Sequence, residues 1–341
     1  ISSDIRQIAL MIILMRAGLN LKISDLKKVG PSALLMCFVP ASFEILGLMI
    51  LAPIFLHLDL LNAAILGTVL AAVSPAVVVP LMLKLMDEGY GTREGIPQLI
   101  MAGASMDDVY VIVLFTSLLT LAKSGEFNAL SLLRIPTSIL FGIISGIVLG
   151  YVLCKLYRLL KLSTGIELAS MFAIGMVLIT IERMMTGVVG FSGLLAIMAM
   201  TAAIRHIKPE MADKYSAVLA KLWQPAEIFL FALVGASVRI DYALSFGPVV
   251  LVVIILALLF RMLGVYLSVM KTKFSLKEKI FTMIAYLPKA TVQAAIGGLA
   301  LEAGLASGEL ILTAAVTAIL VTAPLGAIFI SITYRNFLQK A

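Results

Sequence analysis

Apolar runs of roughly 18 or more residues recur from one end of the chain to the other, separated by short clusters of charge, proline and glycine. Each run is long enough to cross a hydrocarbon core of about 30 Å as a helix rising about 1.5 Å per residue. Breaking the chain at the polar clusters predicts eleven helices, starting near residues 5, 31, 59, 96, 132, 165, 187, 213, 241, 278 and 309. The fold class this implies is an all-α polytopic membrane protein. Composition agrees: of 341 residues, 62 % are hydrophobic and 13 % charged, against about a quarter charged in a soluble domain. The mean hydropathy is +1.11. No soluble domain is visible, and Cys37 and Cys154 lie inside apolar runs, where they read as buried thiols without a redox role.

Charge in the connections sets an orientation. Numbering them alternately, one side collects 17 Lys and Arg, from Lys22 to Lys340, and the other collects Arg6, Lys123, Arg134, Arg183 and Arg239. In loops this short the positive side faces the cytoplasm, which places the C-terminus inside and Ile1 outside. The net charge of +7 is explained by lipid head groups and calls for no nucleic-acid partner. The chain begins with Ile1 and without a signal-peptide pattern, so the sequence reads as a fragment missing its own N-terminus.

Four cations fall within apolar segments, Arg16, Lys221, Arg261 and Lys289; so do the acids Glu44, Asp107 and Asp108, with Glu182 and Glu227 near helix ends. An ionisable group inside the bilayer costs at least about 2.5 kcal/mol on insertion scales, so each is a candidate for function or pairing. Asp107 and Asp108 cannot both ionise cheaply in a low-dielectric site, and a carboxylate held near its titration point can trade a proton for a hard monovalent cation such as Na+. Adjacent helix positions point about 100° apart, so one aspartate can face an ion while a neighbour holds the other. The bland alternative is a structural pair satisfied by Ser105 and nearby backbone. Glu44 and Arg261, each at mid-depth, are expected to pair with one another. Arg16 reads as snorkelling to the surface, and Trp223 with Pro225 as the interface-depth start of the helix that holds Glu227.

Pro75 and Pro80 bracket "PAVVVP", and Lys289 follows Pro288 in "LPKATVQ". A proline removes a helix donor and crowds the preceding turn, so both spans are expected to be interrupted near mid-membrane, with Ser74 a candidate ligand at the first break. Lys289 then faces exposed carbonyl ends. The alternative for either span alone is an ordinary proline kink. Glu44 precedes Pro75 by 31 residues and Arg261 precedes Pro288 by 27. With the opposite starting sides of their first helices, this makes residues 31–122 and 241–336 inverted repeats, the pattern of a secondary transporter.

The segments "LMRAGLNL" (14–21), "AVSPAVVVPLML" (72–83), "EGYGTREGIPQLIMAGASMDD" (88–108) and "LPKATVQAAIGG" (287–298) resemble monovalent cation:proton antiporters, most of all the NHA-type sodium/proton exchangers of bacteria and animals. The resemblance implies an NhaA-like antiporter fold and an elevator mechanism in a homodimer, exchanging Na+ or Li+ for protons without any cofactor, with K+/H+ exchange as the alternative. Segments 31–122 and 241–336 would form the ion-carrying core, 5–21 and 187–236 the dimerisation scaffold, and 132–182 the connecting helices. Asp108 would be the principal ion and proton ligand beside Asp107, Glu44 and Arg261 the family's ion pair, and Lys289 its broken-helix lysine. Members begin with two or three further helices, and a bacterial inner membrane is the expected setting. Arginine at 261, where better-known bacterial relatives carry lysine, keeps its proton, so one proton per cation and an electroneutral cycle are expected.

Three rivals are weaker. A sodium-coupled organic-solute symporter would want an aromatic or polar pocket where the breaks offer small and aliphatic residues. "GFSG" at 190–193 mimics an intramembrane serine protease, but His57 and His206 read as lying in loops on opposite sides, leaving Ser192 as a small packing residue. The inverted repeat argues against a channel, and the 18 methionines are scattered as core filling.

Overall fold

A computed structural model describes residues 2–20, 31–124, 129–160, 162–185, 191–237 and 240–340. Lys22, Lys27, Lys28, Lys161 and Arg239 lie outside the described residues, as do the side chains of Arg6, Ser105, Arg134, Arg183 and Glu227. Thirteen helices are described: α1 Ser2–Asn20, α2 Pro31–Leu56, α3 Leu60–Ala71, α4 Pro75–Asp87, α5 Ile96–Ser124, α6 Ala129–Leu160, α7 Thr164–Met185, α8 Gly193–Ile207, α9 Pro209–Ser237, α10 Ile240–Val269, α11 Leu276–Ala285, α12 Thr291–Glu302 and α13 Gly308–Phe337. Among the described residues, six segments have by themselves the length and apolarity of a membrane span, one of them being α3 and α4 taken together.

The chain divides into two compact units, Ile1–Lys22 with Ile112–Leu233, and Ile23–Val111 with Val234–Ala341. The division falls within α5, three residues after Asp108. In the first unit, helices approach through glycines. A Cβ at Gly146 would come within 2.4 Å of the Ala196 carbonyl oxygen and one at Gly150 within 2.5 Å of that of Met200, so α6 and α8 touch backbone to backbone. Such close approach supplies the contact that apolar driving force cannot supply among lipid tails. The opposite side of α6 shows Leu140, Phe141, Ile144, Ile147, Val148 and Tyr151 outward, a surface suited to lipid. Arg205 ties three elements here, donating to the Leu19 carbonyl and, at 2.7 Å, to Asp213.

In the second unit α2 lies along α10, with Gly47 against the Phe260 ring and Gly264 against the backbone of Pro40. Local chemistry sets the short helices. Asp59 caps α3 by accepting from the Asn62 N–H at 3.0 Å, and Ser275 and Glu278 form a reciprocal capping box at the start of α11. Pro75 occupies the first turn of α4, where its missing N–H costs nothing.

Several sequence expectations change. Pro80 sits inside α4 without interrupting it; the first break is residues 72–74. Its missing N–H deprives one carbonyl, that of Ala76, of its helical donor, a single lost hydrogen bond that a helix packed within a membrane protein sustains without ending. α9 runs through Trp223 and Pro225, so neither marks a helix start. Arg16 lies over the buried Trp223 ring, 5.8 Å from its centroid, rather than snorkelling. Ser192 is the N-cap of α8, accepting from the Leu195 N–H, and Glu182 accepts from the Gly193 N–H at 2.9 Å; both satisfy a helix start whose donors have no intrahelical partner. His206 belongs to the last turn of α8 and not to a loop.

Candidate functional site

The two interruptions meet. The Ser74 N–H, in the extended segment before α4, donates to the Pro288 carbonyl at 2.8 Å, in the segment between α11 and α12. Gln293, in the first turn of α12, links the same two segments. Its side-chain amide donates to the Ala72 carbonyl at 2.6 Å, and its side-chain oxygen accepts from the Ala290 N–H at 2.9 Å. The Lys289 N–H is taken by Thr322 of α13 at 3.0 Å, and Gly326 leaves room for the Pro288 ring to lie against that helix.

A helix that ends in the middle of a protein leaves carbonyls pointing into it, the negative end of its dipole. Here cations meet them. Arg261, on α10, donates to the Ala71 carbonyl at the end of α3 and, through Nε, to the Tyr286 carbonyl at the end of α11, 2.8 Å away. Lys289 donates to the Leu70 carbonyl. Both side chains are buried, which is tolerable only because carboxylates complete the set. Arg261 Nη1 lies 2.9 Å from Glu44 Oε2 and Nη2 lies 2.7 Å from Asp107 Oδ2, while Lys289 Nζ lies 2.7 Å from Glu44 Oε1. Glu44 is therefore shared by two cations, where the sequence suggested Arg261 alone.

Asp107 and Asp108 part company. Asp107 is completely buried; Oδ2 accepts from Arg261 and from the Val73 N–H at 2.9 Å, and Oδ1 has no hydrogen-bond partner among the described residues. Asp108 is 8 % exposed, its Oδ1 is buried without a partner, and no cation lies within ion-pair distance of it among the described residues. The buried Ser74 hydroxyl is also without a hydrogen-bond partner among the described residues. Formal charge sums to zero over Glu44, Asp107, Arg261 and Lys289, and Asp108 is left over. Residues that the sequence reading did not single out are Gln293, Tyr286, Thr322 and the Val73 N–H. Gln293 had a visible signal, a lone amide three residues into an apolar helix after the break; Thr322 and Val73 had none.

Buried ion pairs at the meeting of two interrupted helices, in a polytopic helical bundle, define an integral membrane protein of the broken-helix type that transporters use. The chain belongs to the sodium/hydrogen exchanger family: the family model described as "Sodium/hydrogen exchanger, transmembrane" matches residues 1–335. It falls with the NHA-type members of the monovalent cation:proton antiporter superfamily. It is 36 % identical over 352 residues to sodium/hydrogen exchanger 9B2 of Homo sapiens, covering 99 % of this chain and 65 % of that protein. To human sodium/hydrogen exchanger 9B1 it is 35 % identical over 352 residues, covering 99 % and 67 %. The chain thus spans about two thirds of the length of these relatives. Among solved structures it resembles the sodium proton antiporter MjNhaP1 of Methanocaldococcus jannaschii at pH 8, with TM-score 0.81 and 19 % identity over 99 % of this chain and 88 % of that one. At that identity the likeness speaks for the fold.

Proposed function

We propose that the protein is a secondary antiporter that exchanges Na+ or Li+ for H+, with Asp108 as the shared cation and proton ligand. The observation that carries this is the charge balance of the buried cluster: four groups cancel, and Asp108 is the carboxylate left without a cation among the described residues. A bare charge at bilayer depth is costly, at least about 2.5 kcal/mol on insertion scales. Asp108 is neutral when it carries either a proton or a monovalent cation, so the loaded site crosses the membrane in both directions and the empty one is held back. That asymmetry couples the two fluxes. Asp107 stands beside it, fixed by Arg261, and Ser74 adds a hydroxyl at the break. Arg261 and Lys289 neutralise the helix ends and hold the cluster together.

In this reading the unit of Ile23–Val111 with Val234–Ala341 is the moving core. Its α3/α4 and α11/α12 count as one broken span each in inverted repeats, giving eleven spans in all. The unit of Ile1–Lys22 with Ile112–Leu233 is the scaffold and the surface of a homodimer, as an elevator mechanism requires. The C-terminus faces the cytoplasm by the distribution of loop charge. With arginine at 261 and Lys289 committed to Glu44, one proton moves per cation and the cycle is electroneutral.

Proton flux in proteoliposomes challenged with Na+, Li+ or K+ tests the core of this. Asp108→Asn is expected to abolish cation-driven proton movement, and normal exchange by that variant would refute the assignment. A sustained current on a solid-supported membrane under a sodium gradient would refute electroneutrality alone.

A further inference from the structure

Tyr286 closes α11 at the second break, and its side chain is fully buried. Its carbonyl accepts from Arg261, and the guanidinium lies over its ring at 5.4 Å from the centroid. Those contacts use the backbone and the ring. The phenol hydroxyl is buried and has no hydrogen-bond partner among the described residues. Leaving such a group unpaired costs about 1–3 kcal/mol, which phenylalanine in the same space would avoid.

The position of that hydroxyl is informative. It presses on α5 at Gly103, where a Cβ would come within 2.0 Å of Oη. Gly103 precedes Asp107 by one turn on the same helix face, and helical side chains lean toward the N-terminus, so the Asp107 carboxylate leans over the turn that Tyr286 touches. Asp107 Oδ1, Asp108 Oδ1 and Ser74 Oγ are likewise buried and unpartnered, so Oη joins a set of uncommitted oxygens drawn from both breaks and from α5. The groups that face the hydroxyl electrostatically are Asp107, Cys37, Arg261 and Asp108.

We infer that Tyr286 Oη is an oxygen ligand of the transported cation, or of a water in its shell, on the Asp107 side of the site, with Gly103 providing its room. The inference rests on the cation-binding reading of Asp107 and Asp108. Hard monovalent cations collect several oxygens, and a phenol oxygen adds one without adding charge. Tyr286 therefore tunes cation affinity while the charge moved per cycle stays the same.

Initial rates of exchange against Na+ concentration, at several pH values in proteoliposomes, test this with Tyr286→Phe, Gly103→Ala, the double variant and Asp108→Asn. Tyr286→Phe is expected to raise the KM for Na+ about three- to tenfold with kcat near the wild-type value, the loss of one polar ligand. Because protons compete with the cation, its activity profile moves to higher pH. Gly103→Ala displaces the hydroxyl and raises KM likewise, and the double variant is no worse in KM than Tyr286→Phe. An unchanged KM and pH profile in Tyr286→Phe, whatever its thermal stability, overturns the inference, as do additive KM effects in the double variant. Loss of exchange in Asp108→Asn with an unaltered Tyr286→Phe leaves the antiporter reading standing and removes this one; normal exchange in Asp108→Asn removes both.

Discussion

The two compact units hold their helices together by different means. In one, α6 and α8 meet through Gly142, Gly146 and Gly150, with carbonyl oxygens where a methyl would otherwise be. In the other, α2, α3, α5, α10 and α11 converge on four buried charges that cancel. Close packing is local, since a methyl at Gly146 would force the Ala196 carbonyl oxygen, 2.4 Å away, and its neighbours on α8 to move and would disturb that one helix contact. A neutral charge cluster is not: every member is buried because the others are there, and removing one strands its partners. The contrast separates a unit that depends on close approach of backbones from one that depends on the balance of buried charge.

The largest effect that would break this contrast is at Arg261. Arg261→Ala leaves Glu44, Asp107 and Lys289 with a net charge of −1 and frees the carbonyls of Ala71 and Tyr286. Thermal unfolding in detergent is expected to show a loss of about 3–5 kcal/mol. Adding Glu44→Ala returns the sum to zero but deprives Lys289 of its carboxylate, so the double variant recovers only part. Strict additivity of the two changes would show that the charges are not a unit.

Next is Gln293→Leu, which unpairs the Ala72 carbonyl and the Ala290 N–H at the meeting of the breaks. Each orphaned group costs about 1–3 kcal/mol, and exchange per folded molecule should fall as well, because the two segments lose a tie beside the site. Wild-type exchange in a variant of lowered stability would confine Gln293 to packing. In the glycine-packed unit, Gly146→Val puts a side chain against Ala196 O and Ala199 Cβ and is expected to lose about 1–3 kcal/mol of stability while the folded fraction exchanges normally. A changed KM for Na+ in that variant would blur the separation between the two units.

The smallest effect is at Asp59, the cap of α3. Partial burial pushes its carboxyl up, but hydrogen bonds from Asn62 outweigh that and hold it below the usual carboxylate range. Its stabilisation is present above the unfolded value near pH 4 and is lost as pH falls through the lower folded value. Asp59→Ala should cost about 1 kcal/mol at neutral pH, and its gap from wild type should close only below about pH 4. A gap that stayed constant through that range would mean that the cap acts without its charge.

Much of this was legible in the residues. The apolar runs, the proline-marked interruptions at 72–74 and 286–290 and the mid-depth charges follow from length, proline chemistry and the cost of ions in lipid. Other features were not legible. Pro80 looks in the sequence like half of a break and lies inside α4, because the loss of one helical hydrogen bond, to the Ala76 carbonyl, does not by itself end a helix packed among others. Trp223 and Pro225 look like a boundary and lie within α9, where the indole carries Arg16.

What the sequence determined by itself is the inventory: which segments enter the membrane, where two of them break, and which charges must find partners there. These depend on local properties, hydrophobic length, a missing N–H, the solvation of an ion. Only the tertiary structure decided the partners. Arg261 takes Asp107, 154 residues away, as well as Glu44, 217 residues away. Lys289 joins Glu44 across 245 residues. Two adjacent aspartates of identical chemistry become one held carboxylate and one uncommitted one. No property of either residue distinguishes them; what does is which side of α5 meets α10, and that is fixed by packing between segments remote in the chain.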